Sequence, residues 1–142
     1  MNTREAIFAA LFTRVSAAAG FVTSSRTLRH WNDVKPGEQA ALFQMEGRQS
    51  AVSAYRTPTK WKLHAEIYLY VHQATSGQAD VVVALNTLVD AVMTALAPDY
   101  ESVQTLGGIV ADCRVQGEIE TSEGRLGPQA VAIIPLELIP NI

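Results

Sequence analysis

The stretch WKLHAEIYLYVHQ, residues 61–73, decides the fold that the sequence predicts. Its odd positions are apolar: Trp61, Leu63, Ala65, Ile67, Leu69 and Val71. Its even positions carry Lys62, His64, Glu66, Tyr68, Tyr70 and His72. Because successive side chains of a strand point to opposite faces, this period of two predicts a strand with one face on a core. The outward row is then either a reactive site or a surface that meets another protein.

Two amphipathic helices are predicted on either side of this strand in the sequence. After Asn2, apolar residues recur at three- and four-residue spacing as far as Val15, and Gly20 is placed to end the helix. The second helix has an apolar stripe about 100° wide, and Pro98 should end it. Its stripe consists of Val82, Leu85, Val89, Val92, Met93 and Leu96.

The remaining β-forming segments complete a sheet. Residues 21–31 weakly favour an extended segment, and residues 41–47 and 109–120 alternate as strands do. Residues 130–139 are apolar at both odd and even positions, so both faces of that strand should be covered. Pro135 indicates an edge or a bulge, because it cannot donate a backbone hydrogen bond. We predict a single domain, residues 1–142, with an α+β fold: a two-layer sandwich of a mainly antiparallel sheet of about four to five strands and two helices packed on one side.

Residues 48–60 lack a strong period and are predicted to form a long exposed loop between two strands. A simple hairpin needs only about 2 to 5 connecting residues, so a longer connection indicates mobility or function. The segment combines basic and aromatic side chains, which suit docking on a partner. Its candidate docking residues are Arg48, Tyr55, Arg56 and Lys60.

The charges are separated along the chain. Residues 26–62 hold seven basic and three acidic residues, whereas residues 63–142 hold two basic and ten acidic ones, and the formal net charge is −3. If folding keeps these segments apart, one copy's basic side can meet the next copy's acidic side in a head-to-tail contact. The alternative, that folding scatters the charges, stays open at this point.

The sequence carries few signs of catalysis. His64 and Glu66 lie two apart on one strand face, about 7 Å between Cα atoms, but two ligands are too few for a metal site. Cys113, the single cysteine, is expected to be buried within a strand. We found no nucleophile elbow, phosphate loop or CxxC motif, and no apolar run approaches the about 20 residues of a membrane span. We therefore predict a protein without catalytic activity or cofactor that stays in the cytoplasm, with no membrane partner.

Four stretches together resemble one protein family. They are RTLRHWNDVKPGEQAALFQMEG (26–47), KWKLHAEIYLYVH (60–72), ALNTLVDAVMTALAPD (84–99) and QTLGGIVADCRVQGEIETSEGRLGPQAVAIIPLELI (104–139). Their order along the chain and their amino-acid sequences are similar to those of the tail terminators of lambda-type siphophages, which also occur as prophage minor tail proteins. The resemblance covers about residues 3–139.

The resemblance implies a hexameric ring that sits on the finished tail tube, stops tube growth and meets the head connector. Its expected partners are copies of itself, the tail tube protein and the connector, with DNA only passing through the lumen. Assembly would take place in the host cytoplasm, and the protein would end in the virion tail. Two alternatives stay open: another head-tail joining protein, such as a neck or head-completion protein, and a metal-dependent enzyme using His64 and Glu66.

The site residues come from the physical interpretation alone. The loop residues Arg48, Tyr55, Arg56 and Lys60 are the candidates for docking on the tube. The outward rows of two strands are the candidates for a subunit interface or for the channel lining, where acidic groups would repel DNA phosphates. These residues are Lys62, His64, Glu66, Tyr68, Tyr70, Asp112, Glu118 and Glu120.

Overall fold

The computed structural model describes residues 1–73, 81–123 and 128–141. Its two helices are α1 (Arg4–Ser16) and α2 (Val81–Ala95). Its strands are β1 (Thr23–Ser25), β2 (Ala41–Val52), β3 (Lys60–His72), β4 (Val110–Val115), β5 (Glu120–Glu123) and β6 (Gln129–Pro140). Two single turns of 3₁₀ helix, Trp31–Asp33 and Pro36–Glu38, lie between β1 and β2.

Both helices follow the predicted apolar spacing. α1 begins one residue later than the Asn2 signal indicates, because the hydroxyl of Thr3 accepts a hydrogen bond from the amide of Ala6. It ends at Ser16, ahead of Gly20. α2 buries Leu85 and Val92 of the predicted stripe and also Leu88, which the prediction did not include. It ends before Pro98, as predicted. In the described parts of the chain, neither helix combines the length and apolar character that crossing a membrane requires.

The six strands form one open sheet, so the prediction of an α+β fold is confirmed. The order is β1, β2, β3, β6, with β4 and β5 both paired along the far side of β6. All pairs are antiparallel except β1 with β2. The count exceeds the expected four to five because the segment predicted as one strand, residues 109–120, supplies parts of two.

Pro135 explains that interruption. It lies within β6, opposite the point where β4 ends, and it has no amide hydrogen to give to a neighbouring strand. The amide of Gln116 donates to the carbonyl of Pro135 at 3.1 Å, and the chain then turns at Gly117, where φ is +116°. A Cβ at Gly117 would come within 3.3 Å of Pro135 Cγ, so this turn suits a glycine. Pro135 therefore marks an irregularity inside the sheet rather than its edge.

The predicted loop at residues 48–60 is wrong in part. Residues 49–52 of β2 pair with residues 60–63 of β3, so only residues 53–59 connect the strands. A register shift between Glu46 and Gln49 shows a bulge at the point where this segment leaves the sheet body. We call residues 46–60 the arm, and all of them are exposed. Apolar and polar residues do not alternate regularly in this segment, because both faces of a two-stranded ribbon are exposed to solvent.

The core lies mainly between the sheet and the two helices. The odd row of β3 packs there as predicted, with Leu63, Ala65, Ile67, Leu69 and Val71 all buried. A second, smaller cluster lies on the opposite face of the sheet, where residues 28–34 cross it. Its buried members are Val34, Ala41, Phe43, Tyr70 and Val131. This second cover explains why residues 130–139 are apolar on both parities.

Candidate interaction surface

The outward row of β3 is only partly open. Lys62 is exposed, and His64, Glu66 and Tyr68 are half-buried. Tyr70 does not belong to the open surface, because its side chain is 3% exposed beneath residues 28–34. Its hydroxyl donates to the carbonyl of Arg29 at 2.8 Å, and burial raises the pKa of Tyr70 to about 12. Tyr70 is therefore a core residue of the second cluster, not a candidate for a subunit interface or channel.

Glu66 is engaged by its neighbour along the strand. The hydroxyl of Tyr68 donates to Glu66 Oε2 at 3.1 Å. Partial burial, followed by the negative charge of Glu66, raises the pKa of Tyr68, so its hydroxyl stays protonated and a donor at neutral pH. This pair presents a fixed polar contact of the kind found at protein interfaces.

His64 lines a depression of about 290 Å³ between the arm and β6. Its walls include Gly47, Arg48, Glu66 and Pro135. Within residues 1–73, 81–123 and 128–141, no group of three or more His, Cys, Asp or Glu side chains is placed to hold a metal ion. The His64 and Glu66 pair thus has no third ligand in the described part of the chain.

Next to His64, the sheet carries an acidic residue that the sequence analysis missed. Glu137 of β6 is opposite His64 in register and is 6% exposed. The guanidinium of Arg114 on β4 bonds to Glu137 Oε1 at 3.2 Å and lies 3.5 Å from Asp112 Oδ2. The signal was present in the sequence: Glu137 is the single charged residue within the otherwise apolar residues 130–139. A buried carboxylate of this kind requires a partner.

We expect Arg114→Ala to lower the free energy of unfolding by about 1 to 3 kcal/mol. Breaking a fully buried ion pair costs about 3 to 5 kcal/mol, and the effect is smaller here because the Arg114 side chain is 50% exposed. Urea denaturation of the purified variant measures it. Adding Glu137→Gln in the same chain should restore most of the stability, because the uncompensated charge is then gone. No recovery in the double variant would show that packing of Arg114, not its charge, stabilises the sheet.

The four predicted docking residues lie along the arm but not at one point. Arg48 lies at the bulge of β2, and Lys60 begins β3. Tyr55 and Arg56 form the tip, where the guanidinium carbon of Arg56 lies 5.1 Å from the centroid of the Tyr55 ring. The Tyr55 side chain is 85% exposed. The tip and the two arm strands are thus two distinct surfaces.

Folding sharpens the separation of charge that the sequence shows. Arg26 pairs with both Glu5 and Glu46, and Arg29 pairs with Glu38, so these basic groups are neutralised within the chain. Hydrogen bonding to Arg26 lowers the pKa of Glu5. The three arm cations Arg48, Arg56 and Lys60, and Lys62 just beyond the arm, form no ion pair with any described residue. Apart from Lys35, the basic residues of this half that lack an ion pair among the described residues therefore lie on the arm or directly beside it.

The acidic counterpart lies at the other side of the sheet. Glu118 is in the turn before β5, and Glu120 begins that strand; both are exposed and unpaired among the described residues. The predicted row of three acidic residues is reduced to these two, because Asp112 faces Arg114. Cys113 lies between Asp112 and Arg114 in sequence, but its side chain points to the opposite face, into the main core. It is 2% exposed, and burial raises its pKa to about 12. It is a buried core residue, as predicted.

Comparison with known proteins adds information about the fold. No protein-family model matches the chain, and no curated protein sequence matches it. A solved structure described as "Virion of native gene transfer agent (GTA) particle" contains a chain that is similar to it, with a TM-score of 0.55 and 12% identity over 93% of this chain and 92% of that one. A second solved protein aligns with a TM-score of 0.52 and 13% identity over 100% of this chain and 98% of its own. At such identities the likeness establishes a shared fold over nearly the whole length.

Proposed function

We propose that this chain is a structural virion protein, a tail terminator that forms a ring, caps the tail tube and contacts the head connector. The observation that carries the proposal is the fold, which matches a chain of a gene transfer agent virion over 93% of the length. The sequence resemblance to phage tail terminators covers about the same span and supports the same class. No catalytic role is included in the proposal.

The surface supports a role in assembly. The exposed arm presents three cations, Arg48, Arg56 and Lys60, that have no ion pair among the described residues, and an aromatic tip. Tyrosine and arginine are enriched where proteins meet, since each supplies a large contact area together with polar groups. The buried Cys113 thiol, with its raised pKa, does not serve as a nucleophile at neutral pH.

A ring of identical subunits needs a heterologous contact, in which two different surfaces of each copy meet. The cationic arm and the anionic turn around β5 are two such surfaces. We expect a hexamer in which Glu118 and Glu120 either meet the neighbouring arm or face the channel. In the channel they would repel DNA phosphates and let the genome pass.

The ring and its salt dependence can be tested in solution. Size-exclusion chromatography with light scattering should show an assembly of about six chains at low ionic strength. Raising the salt concentration toward 1 M should shift the population toward monomer, because the Debye length falls from about 10 Å at 0.1 M to about 3 Å. A ring of unchanged stability across this range would show that opposite charges do not hold it together.

The biological role is tested by deleting the coding sequence from the phage or prophage that carries it. A tail terminator stops tube growth, so its loss should produce tails longer than normal under the electron microscope. Expression of the intact chain in trans should restore uniform length. Tails of normal length that lack heads would instead assign the chain to the neck or to head completion, the second candidate for this fold.

A further inference from the structure

We infer that neighbouring copies join edge to edge, with the outer edge of the β2 arm adding as a strand to the outer edge of β5 in the next copy. The inference rests on the proposed ring and names the contact that would build it. A continuous sheet would then run around the ring through the backbone hydrogen bonds of successive subunits.

The first free edge belongs to β2. Strand β1 pairs with β2 only from Ala41 to Phe43, although β2 continues to Val52. Beyond Phe43, the side of β2 away from β3 has neither a strand partner nor another backbone hydrogen bond among the described residues. Its amide and carbonyl groups along residues 46–52 are therefore available to another chain.

The second free edge belongs to β5. This strand pairs with β6 through four residues, Glu120↔Ile133 to Glu123↔Ala130, and no described residue bonds to its other side. Because β2 and β5 flank opposite sides of the same sheet, a contact between them is heterologous. Repetition of a heterologous contact builds a ring if the rotation closes.

The two edges carry opposite charge. On β2 itself, Arg48 has no ion pair among the described residues, whereas the acidic Glu46 is paired with Arg26. Lys60 and Lys62 are on the strand paired with β2. Glu118 and Glu120 accompany β5. Exposed edges commonly carry charges that prevent indiscriminate pairing. Like charges disfavour pairing of a β2 edge with another β2 edge or of a β5 edge with another β5 edge, and opposite charges favour the β2 to β5 pairing.

The two edges are also offset along the strands, and pairing Gln49, at the centre of the free β2 edge, with Thr121 would give a strand tilt compatible with a closed sheet. Across the sheet, Thr121 of β5 pairs with Ala132 of β6, which pairs with Leu69 of β3, which pairs with Leu42 of β2. Gln49 lies seven residues further along β2 than Leu42. With one residue absorbed by the bulge, the offset is about six residues, or roughly 20 Å. From one β2 to the β2 of the next copy there are four strand spacings, three within the subunit and one at the junction, or roughly 19 Å. Joining the edges inclines the strands by about 45°, close to the 35–45° tilt typical of closed barrels.

Engineered cysteines test the contact directly. The four positions for cysteine lie on the sheet face away from the helices, because each is paired with a residue on that face. On β2, Ser50 pairs with Lys62 and Val52 with Lys60. On β5, Glu120 pairs with Ile133 and Ser122 with Val131. Four double variants combine Ser50→Cys or Val52→Cys with Glu120→Cys or Ser122→Cys, which covers neighbouring registers. Mild oxidation of assembled protein should give at least one variant a ladder of disulfide-linked chains up to the ring number. Each single variant should give none, because the native Cys113 is buried.

Charge reversal supplies a second measurement that does not depend on disulfide geometry. Arg48→Glu and Glu120→Arg should each weaken ring formation at least tenfold in protein concentration, and the two together should restore it. A ring that forms without any ladder, and that is indifferent to both reversals, overturns the edge contact but leaves the proposed function standing. A chain that stays monomeric at every concentration, and also on purified tail tubes, overturns the proposed ring and the edge contact together.

Discussion

Replacing Phe43 by alanine should lower the free energy of unfolding by about 3 to 5 kcal/mol, the usual cost of truncating a buried phenylalanine. Phe43 is 0% exposed in the second cluster, and its ring centroid lies 5.4 Å from that of Tyr70. The guanidinium carbon of Arg29 lies 5.5 Å from the same ring. The truncation therefore removes aromatic and cationic contacts, and residues 28–34 lose the surface on which they pack.

The measurement is urea denaturation followed by tryptophan fluorescence. Trp31 packs against the second cluster and Trp61 against the main core, so the two tryptophans sample both sides of the sheet. Met45→Ala is the matched control, because Met45 lies two residues along the same face of β2 but is only half-buried. It should cost about 1 kcal/mol, in keeping with its partial exposure. Equal losses for both variants would contradict a separate second cluster beneath residues 28–34.

The double variant Tyr55→Ala with Arg56→Gly should abolish capping of the tail tube while leaving the melting temperature within about 2 °C of the original. Tyr55 is 85% exposed, and among the described residues its ring contact is with Arg56 at the tip, so truncation removes no core packing. Arg56 has φ of +62°, and glycine adopts that conformation without a Cβ clash. The exchange therefore removes the guanidinium while keeping the turn.

The readout is the distribution of tail lengths when the deleted phage is complemented by the variant. Tails should be as long as in the deletion, although rings still form in solution, because the tip and the arm edge are distinct surfaces. Tyr100→Ala is the matched control, since Tyr100 is 64% exposed and lies in the segment between α2 and β4 rather than on the arm. Normal tail lengths for the tip variant would exclude the tip as the docking surface.

The sequence determined the elements whose side chains follow a local period. The alternation over residues 61–73 identified β3 and its core face, and the spacing of apolar residues identified both helices. Residues 130–139 are apolar at both odd and even positions, which indicated that both faces of the strand are buried. The second cluster covers the face away from the helices. These inferences succeed because a side chain's direction depends on its own strand or helix geometry, which neighbouring residues fix.

Only the tertiary structure decided which outward positions stay open and which charges stay free. The alternation places Tyr70 and Lys62 on the same face, but residues 28–34 cover the first and leave the second exposed. Likewise, Arg26 is neutralised by Glu5 and Glu46, whereas Arg48 is not, although both are single basic residues in the same segment. The physical reason is that a local period specifies a face of the sheet, while cover and ion pairing depend on segments distant in sequence that meet only when the chain folds.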